Sequence, residues 1–533
     1  MGNAWEPAPV ATGMPLSLGQ LLRRSARLRG ASLAVADPER ELSWTAFEHR
    51  VMRLAGAFRA MGLAPGDRVA MLAQNSHRYL ETFFAAAWAG GEFTPLNFRL
   101  ATRELAGILG DCGAQILVVD DMHQPLAHEL ASIAPIRRII HAGSAPTIDG
   151  LDSYERLIET SPPIPDAGRS GDDLAALFYT SGSTGEPKGV MHSHANIVMA
   201  GFTSIPLFAL DEDSVVLIFG PLFHVGATGM CLPAMMAAAS LVVLPRFAAA
   251  HVVDTIERYR ITTMTAVPTM LRMMIDHGDA RRRDLKSLRT VTLGGAPMPD
   301  ALLKQLLEIA PGARFVHCYG MTETTASCTC LPPRWVLAEN RHLGKALSIG
   351  RALLGHDIAI LGLDDEELAP NAIGEIAVRG PIVTRGYWGK PEMSARTLRG
   401  GWLHTGDAGY LDEDGFLYIV DRLKDMIITG GENVYSREVE EAIYSFPGVA
   451  QCAVIGVPDE RWGERVHAIV APTPGHVIDP DALIAHCRKR IAGYKCPRSL
   501  DVRAEPLPLS GAGKINKPAL RAPFWDQRLS KLV

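Results

Sequence analysis

The sequence predicts an α/β protein with three parts: a large N-terminal region of largely parallel sheets, a smaller β-rich unit after about residue 350, and a small α+β domain from about residue 425. Three observations predict it. Up to about residue 320, short apolar runs alternate with helix-like stretches, the pattern of repeated βα units. Beyond Gly350 the style changes to strand-like runs with short turns, the pattern of a smaller β-rich unit. In the last hundred or so residues, two apolar runs are flanked by two helix-like segments.

In chain order, Thr45 and Glu48 have the spacing of a capping box that opens a helix. Phe47, Val51, Leu54, Phe58 and Met61 then recur at helical spacing, and Gly62 stops the pattern. Strands are predicted over 68–73, 115–119, 174–179, 215–219, 241–244, 262–267, 290–293 and 315–317. The β-rich unit should hold strands over 357–361, 374–378 and 416–420. The last domain should hold strands over 452–457 and 466–471, with helices near 436–444 and 480–491.

Composition bounds the function. The 533 residues are 47% hydrophobic and 21% charged, an ordinary globular profile, with room for three or four units of roughly 150 residues. The net charge is −5 and no long basic block appears, so no nucleic-acid partner is expected; Arg281, Arg282 and Arg283 read as a solvated loop. Eight cysteines without a C-x-x-C pair imply neither a disulfide framework nor a zinc site, and a reducing, cytoplasmic location is expected. No transmembrane segment is expected, because the most apolar stretch, 230–245, is interrupted by Pro233 and Ser240. The first residues lack the basic-then-apolar order of a signal peptide. Ser530-Lys531-Leu532 is discounted as a peroxisomal address because Val533 follows it.

The strongest local signal is Tyr179-Thr180-Ser181-Gly182-Ser183-Thr184-Gly185-Glu186-Pro187-Lys188-Gly189. An apolar strand runs into small hydroxyl and glycine residues and ends in a lysine. Glycines let backbone N–H groups converge on an anion, hydroxyls add donors, and Lys188 adds charge. This is a phosphate cradle by composition. It is not the Walker A pattern, because Gly189 stands where a Ser or Thr would bind magnesium.

That string resembles the phosphate loop of the adenylate-forming superfamily of acyl-CoA synthetases, luciferases and carrier-loading adenylation domains. The other motifs of the superfamily follow in order: Gly294-Gly295-Ala296-Pro297, Tyr319-Gly320-Met321-Thr322-Glu323, Thr405-Gly406-Asp407, Asp421-Arg422-Leu423-Lys424-Asp425, Gly430-Gly431-Glu432-Asn433-Val434, and Leu509-Ser510-Gly511-Ala512-Gly513-Lys514-Ile515. The resemblance covers nearly the whole chain. It implies an N-terminal region of two α/β subdomains plus the β-rich subdomain over 1–423, and a mobile C-terminal domain over 424–533 that turns about Lys424.

The resemblance also implies an activity. A carboxylic acid and ATP, with Mg2+, would give an acyl-adenylate, and CoA would then take the acyl group. Tyr319 offers an aromatic face for adenine, although it also reads as a core tyrosine. Gly295, Ala296 and Pro297 would approach the other face of the base. Thr322 would donate to the α-phosphate and Glu323 would ligate magnesium. Asp407 would accept from the ribose hydroxyls, with Arg422 adding a ribose or phosphate contact and Gly431 lying in the loop presented for the second step. Lys514 would bridge the carboxylate and the α-phosphate, offsetting the repulsion of two anions.

His224 resembles the aromatic gate of the acyl pocket and reads equally as a core histidine. Val225, beside it, cannot pair an α-ammonium, so a substrate without an amino group is expected. Gly320 and Met321 complete the expected lining, with Ala266, Val267 and Met270 as further apolar positions. His192-Ser193-His194 reads as structural. The acid is expected to be a medium- or long-chain fatty acid, with an aryl or cinnamate-type acid, or loading of a carrier protein, as alternatives. A homodimer is compatible with the resemblance.

Overall fold

A computed structural model of the chain describes residues 16–181, 187–277, 279–294, 300–509 and 515–529. They form two compact units, one of Met1–Asp357 with Val378–Leu403 and one of Ile358–Ala377 with His404–Val533.

The first unit is built on two sheets. The seven-stranded sheet runs in the order Asp152–Ser153, Arg138–His141, Ile116–Val119, Arg68–Leu72, Glu92–Pro95, Leu174–Ser181, Pro187–Ser193. Its strands pair in parallel except for the last two, which form an antiparallel hairpin. The nine-stranded sheet has a parallel centre and antiparallel strands at both edges. Helices Trp44–Ala60, His77–Trp88, His194–Phe208 and Val225–Met236 share one apolar core with a face of each sheet. The alternation of strand side chains explains this layering: Val69 and Met71 join that shared core, while Ala70 and Leu72 face a second core under the helix Thr102–Cys112. The predicted α/β alternation is present, and each predicted strand appears within a few residues of its expected bounds.

One local expectation is corrected. The helix Trp44–Ala60 is capped by Ser43, whose hydroxyl accepts from the Ala46 N–H at 3.2 Å, so Thr45 lies inside the first turn. Both Ser43 and Thr45 carry a capping hydroxyl; pairing of Glu41–Ser43 with Leu33–Ala36 keeps Ser43 extended and starts the helix after it.

In the second unit a four-stranded sheet has the order Asp357–Leu361, Gly374–Arg379, Leu403–Leu411, Leu417–Arg422. A separate sheet is built around the long antiparallel pair Val449–Asp459 and Gly463–Pro472. Its alternate residues again serve two cores: Cys452 and Val454 pack with Val439 and Ile443, and Ala453 and Ile455 with Leu520. Among the described residues no helix is long and apolar enough to cross a membrane. All eight cysteines are free thiols.

Candidate active site

Four mutually parallel strands of the nine-stranded sheet, Val215–Ile218, Thr263–Ala266, Thr290–Leu293 and Arg314–Gly320, point the same way. The segments leaving their C-terminal ends carry His224 and Val225, Val267, Gly294, and Met321 to Glu323. Open α/β sheets receive ligands at that edge, so parallel pairing brings together motifs that lie about a hundred residues apart.

Tyr319 and Gly320 end the strand Arg314–Gly320, and a register shift falls between them. A Cβ on Gly320 would stand 2.0 Å from the Ala326 carbonyl oxygen, so only glycine lets the returning chain pass this close. Thr322 and Glu323 follow in the short 3₁₀ helix Thr322–Thr324. Thr324 Oγ1 accepts from the Met321 N–H at 2.9 Å and tightens this turn. The next residue, Thr325, has φ +57°, an uncommon conformation for a β-branched residue. Its hydroxyl donates to the Ile382 carbonyl at 2.7 Å and lies 2.9 Å from His192 Nδ1.

Glu323 is 8% exposed. Its Oε1 accepts from the Tyr387 phenol at 2.9 Å, and its backbone carbonyl accepts from the Thr384 N–H at 2.8 Å. Burial first, and the adjacent Glu323 carboxylate next, push the Tyr387 phenol well above its ordinary range, so it remains a donor.

Thr180 and Lys188 are opposed across the hairpin Leu174–Ser181 and Pro187–Ser193, with Ser181 opposite Pro187. Gly182, Ser183, Thr184 and Gly185 lie outside the described residues, as do Gly295, Ala296, Pro297 and Lys514. Lys188 Nζ lies 5.3 Å from the centroid of the Tyr387 ring, and the hairpin thus reaches the same tyrosine as Glu323.

His224 caps the helix Val225–Met236, and its ring centroid is 4.4 Å from that of Phe223. The approach to this helix is held by Asn75, which donates to the Gly220 carbonyl at 2.8 Å and accepts from the Leu222 N–H at 2.8 Å. Val225 is packed at the margin of the shared core. His192 and His194 are buried, and desolvation lowers them to about 3 and about 4, leaving neutral rings. His194 Nδ1 accepts from the Leu18 N–H, so this pair is held by the fold.

In the second unit Asp407 and Arg422 face each other across neighbouring strands, joined by an ion pair of 2.8 Å. Asp407 is 3% exposed. Lys424 lies in the short 3₁₀ helix Leu423–Asp425. Gly430 and Gly431 form the two-residue turn between Ile427–Thr429 and Glu432–Val434, both with positive φ, as a tight hairpin turn requires.

Sequence reasoning did not single out Tyr387, Thr384, Thr325 or Asn75. The first two lie in a segment whose sequence shows no motif of its own, and all four act through partners distant in the chain.

The family model described as AMP-binding enzyme matches residues 22–388, and the one described as AMP-binding enzyme C-terminal domain matches residues 438–514. A feruloyl-CoA synthase of Amycolatopsis sp is 41% identical over 95% of this chain and 99% of its own. A fatty acid–[acyl-carrier-protein] ligase, ScoC of Streptomyces coeruleorubidus, is 36% identical over 94% of this chain and 95% of its own. The solved o-succinylbenzoate CoA synthetase of Bacillus subtilis, in complex with its acyl-adenylate intermediate, is 30% identical with a TM-score of 0.83, covering 94% of this chain and 97% of its own.

Proposed function

The chain belongs to the family of AMP-binding enzymes, and from that premise we propose that it joins an aromatic acid of the cinnamate class to CoA through an acyl-adenylate. The coarser activity is that of an AMP-forming acid–CoA ligase, with a small carboxylic acid, ATP and CoA as substrates. The observation that carries the aromatic reading is the 41% identity to a feruloyl-CoA synthase along almost the full length of both chains, against 36% for the fatty-acid ligase. A fatty acid, the first expectation from the sequence, is the second reading, and a carrier-protein thiol is the alternative acceptor.

Several residues would cooperate in the first half-reaction. Thr180 to Gly185 and Lys188 would hold the β- and γ-phosphates. The Thr322 hydroxyl would donate to the α-phosphate. Tyr319 and Gly295 to Pro297 would enclose the adenine. Asp407 would take the ribose hydroxyls, its carboxylate plane set by the Arg422 guanidinium at 2.8 Å. Lys514 would bring substrate carboxylate and α-phosphate together. The main catalytic effect of such groups is preorganised charge where negative charge develops.

Magnesium suits Glu323. Mg2+ is commonly held by one or two carboxylates together with substrate phosphates, and Tyr387 engages one carboxylate oxygen, Oε1. When bound, the ion neutralises phosphate charge. His224, Val225, Gly320 and Met321 would border the acyl group. For the second half-reaction, residues 424–533 would turn about Lys424, withdraw Lys514 and present the Gly431 loop to the thiol.

The test is a panel of ferulate, cinnamate, octanoate, palmitate and phenylalanine, each scored for AMP release and thioester with CoA and with a phosphopantetheinyl carrier protein. Ferulate or cinnamate with CoA should give the highest kcat/KM, and phenylalanine should be poor because Val225 offers no counter-charge. A higher kcat/KM for palmitate or octanoate sinks the aromatic reading. Thioester formed only on the carrier sinks the CoA reading.

A further inference from the structure

We infer that Tyr387 is a positioning residue that ties the metal side of the site to its phosphate side. The inference rests on the roles proposed above for Glu323 and Lys188. Tyr387 is 64 residues from Glu323 in sequence, yet its phenol donates to Glu323 Oε1 at 2.9 Å. The same ring lies 5.3 Å from Lys188 Nζ, a cation–π distance. One side chain therefore touches both the carboxylate meant for magnesium and the ammonium meant for phosphate.

Tyr387 is itself held in place. It is 6% exposed, and its backbone N–H donates to Ser394 Oγ at 2.8 Å. Residues 385–388 run along the strand Pro187–Ser193 as an added edge segment. Val190 and Tyr387 form an antiparallel bridge, the Met191 N–H donates to the Gly386 carbonyl at 2.9 Å, and the Trp388 N–H donates to the Gly189 carbonyl at 2.8 Å. Thr384, just before it, donates from its hydroxyl to the Met191 carbonyl at 2.7 Å and from its N–H to the Glu323 carbonyl at 2.8 Å. The strand that carries Lys188 thus also fixes the tyrosine that orients Glu323.

The physical consequence is selective. A buried, neutral phenol can donate to Glu323 and so hold one carboxylate oxygen in a set direction, which orients the other. Partners of this kind behind a metal-binding carboxylate typically contribute about 10- to 100-fold to metal affinity. Tyr387→Phe removes that bond and keeps the ring under Lys188. Tyr387→Leu removes both.

The experiment measures ATP binding by calorimetry across a Mg2+ titration, without any acid present. Tyr387→Phe should raise the half-saturating Mg2+ about tenfold and leave metal-free ATP binding unchanged. On a Glu323→Gln background the same substitution should add no further shift. An unchanged titration, or an equal shift in both backgrounds, overturns the Glu323 half of the inference. Tyr387→Leu should also weaken metal-free ATP binding, by about two- to fivefold; affinity equal to that of Tyr387→Phe overturns the Lys188 half.

A second measurement does not depend on a deletion variant folding. With 3-fluorotyrosine at 387, the fluorine resonance of the ATP complex should move on adding Mg2+ and should stay still in the Glu323→Gln protein. A resonance that never moves, or that moves alike in both, overturns the inference. Failure of the ligase reading looks different: MgATP binds with these same couplings, but no acid supports pyrophosphate release.

Discussion

The Arg422 guanidinium lies 2.8 Å from Asp407 Oδ1, across the register at which their two strands pair, and the carboxylate is nearly buried while the arginine is half-exposed. Each residue is thereby held by the other before any nucleotide arrives.

If Asp407 receives the ribose hydroxyls, Asp407→Ala removes charged hydrogen bonds worth about 1.5–3 kcal/mol. The KM for ATP in pyrophosphate release should rise roughly 10- to 100-fold, with a smaller rise in Arg422→Ala. An ATP KM unchanged in Asp407→Ala would remove Asp407 from the nucleotide site.

The two lysines should separate the half-reactions. Lys514→Ala should slow acyl-adenylate formation by about 10²–10³, the cost of one preorganised charge, and largely spare thioester formation from supplied acyl-adenylate. Lys424→Pro should do the reverse, because proline fixes φ near −65° and hinders a hinge. Pyrophosphate release and CoA-ester formation are measured for both. Equal losses in both steps would sink the domain-turning account while leaving the ligase assignment intact.

Gly320→Ala should destabilise the first unit by about 1–3 kcal/mol, the usual cost of overpacking. Its Cβ would meet the Ala326 backbone oxygen at 2.0 Å, and backbone cannot swing aside as a side chain can. Thermal unfolding reads the loss directly, and ATP binding should weaken with it because Tyr319 and Met321 flank the clash.

Glu92 gives a pH signature unrelated to catalysis. Burial, opposed mainly by Arg68, raises its carboxyl from 4.5 to about 7. Arg68 stands 3.5 Å away, but its guanidinium also donates to the Cys112 and Gly66 carbonyls and lies 4.3 Å from the Trp388 ring centroid, so it compensates the burial only in part. A raised acid binds more protons folded than unfolded between the two values. Wild-type stability should therefore fall as pH rises from about 4.5 to about 7, by up to about 3 kcal/mol, and level off above that. Glu92→Gln should remove that part of the slope and be the more stable protein at pH 8. Denaturant midpoints across pH 5–8 check it, and parallel slopes for both proteins would refute it.

What was legible in the sequence is what covalent adjacency carries. The α/β alternation shows because buried strands need apolar runs, and the motifs show because Thr322 and Glu323, or Thr180 and Lys188, lie in one turn or one hairpin. The family follows from these ordered motifs. Tertiary structure alone decided how the motif residues are held. Tyr387 reaches Glu323 across 64 positions, His192 reaches Thr325 across 133, and Asn75 holds Leu222 across 147. A tyrosine or an asparagine has no periodicity that reveals its partner. Its role is set by which strands pair and which loop packs beside them, and that depends on the register of the whole sheet. The same physics moved the helix cap from Thr45 to Ser43, since both carry a suitable hydroxyl and strand pairing chose between them.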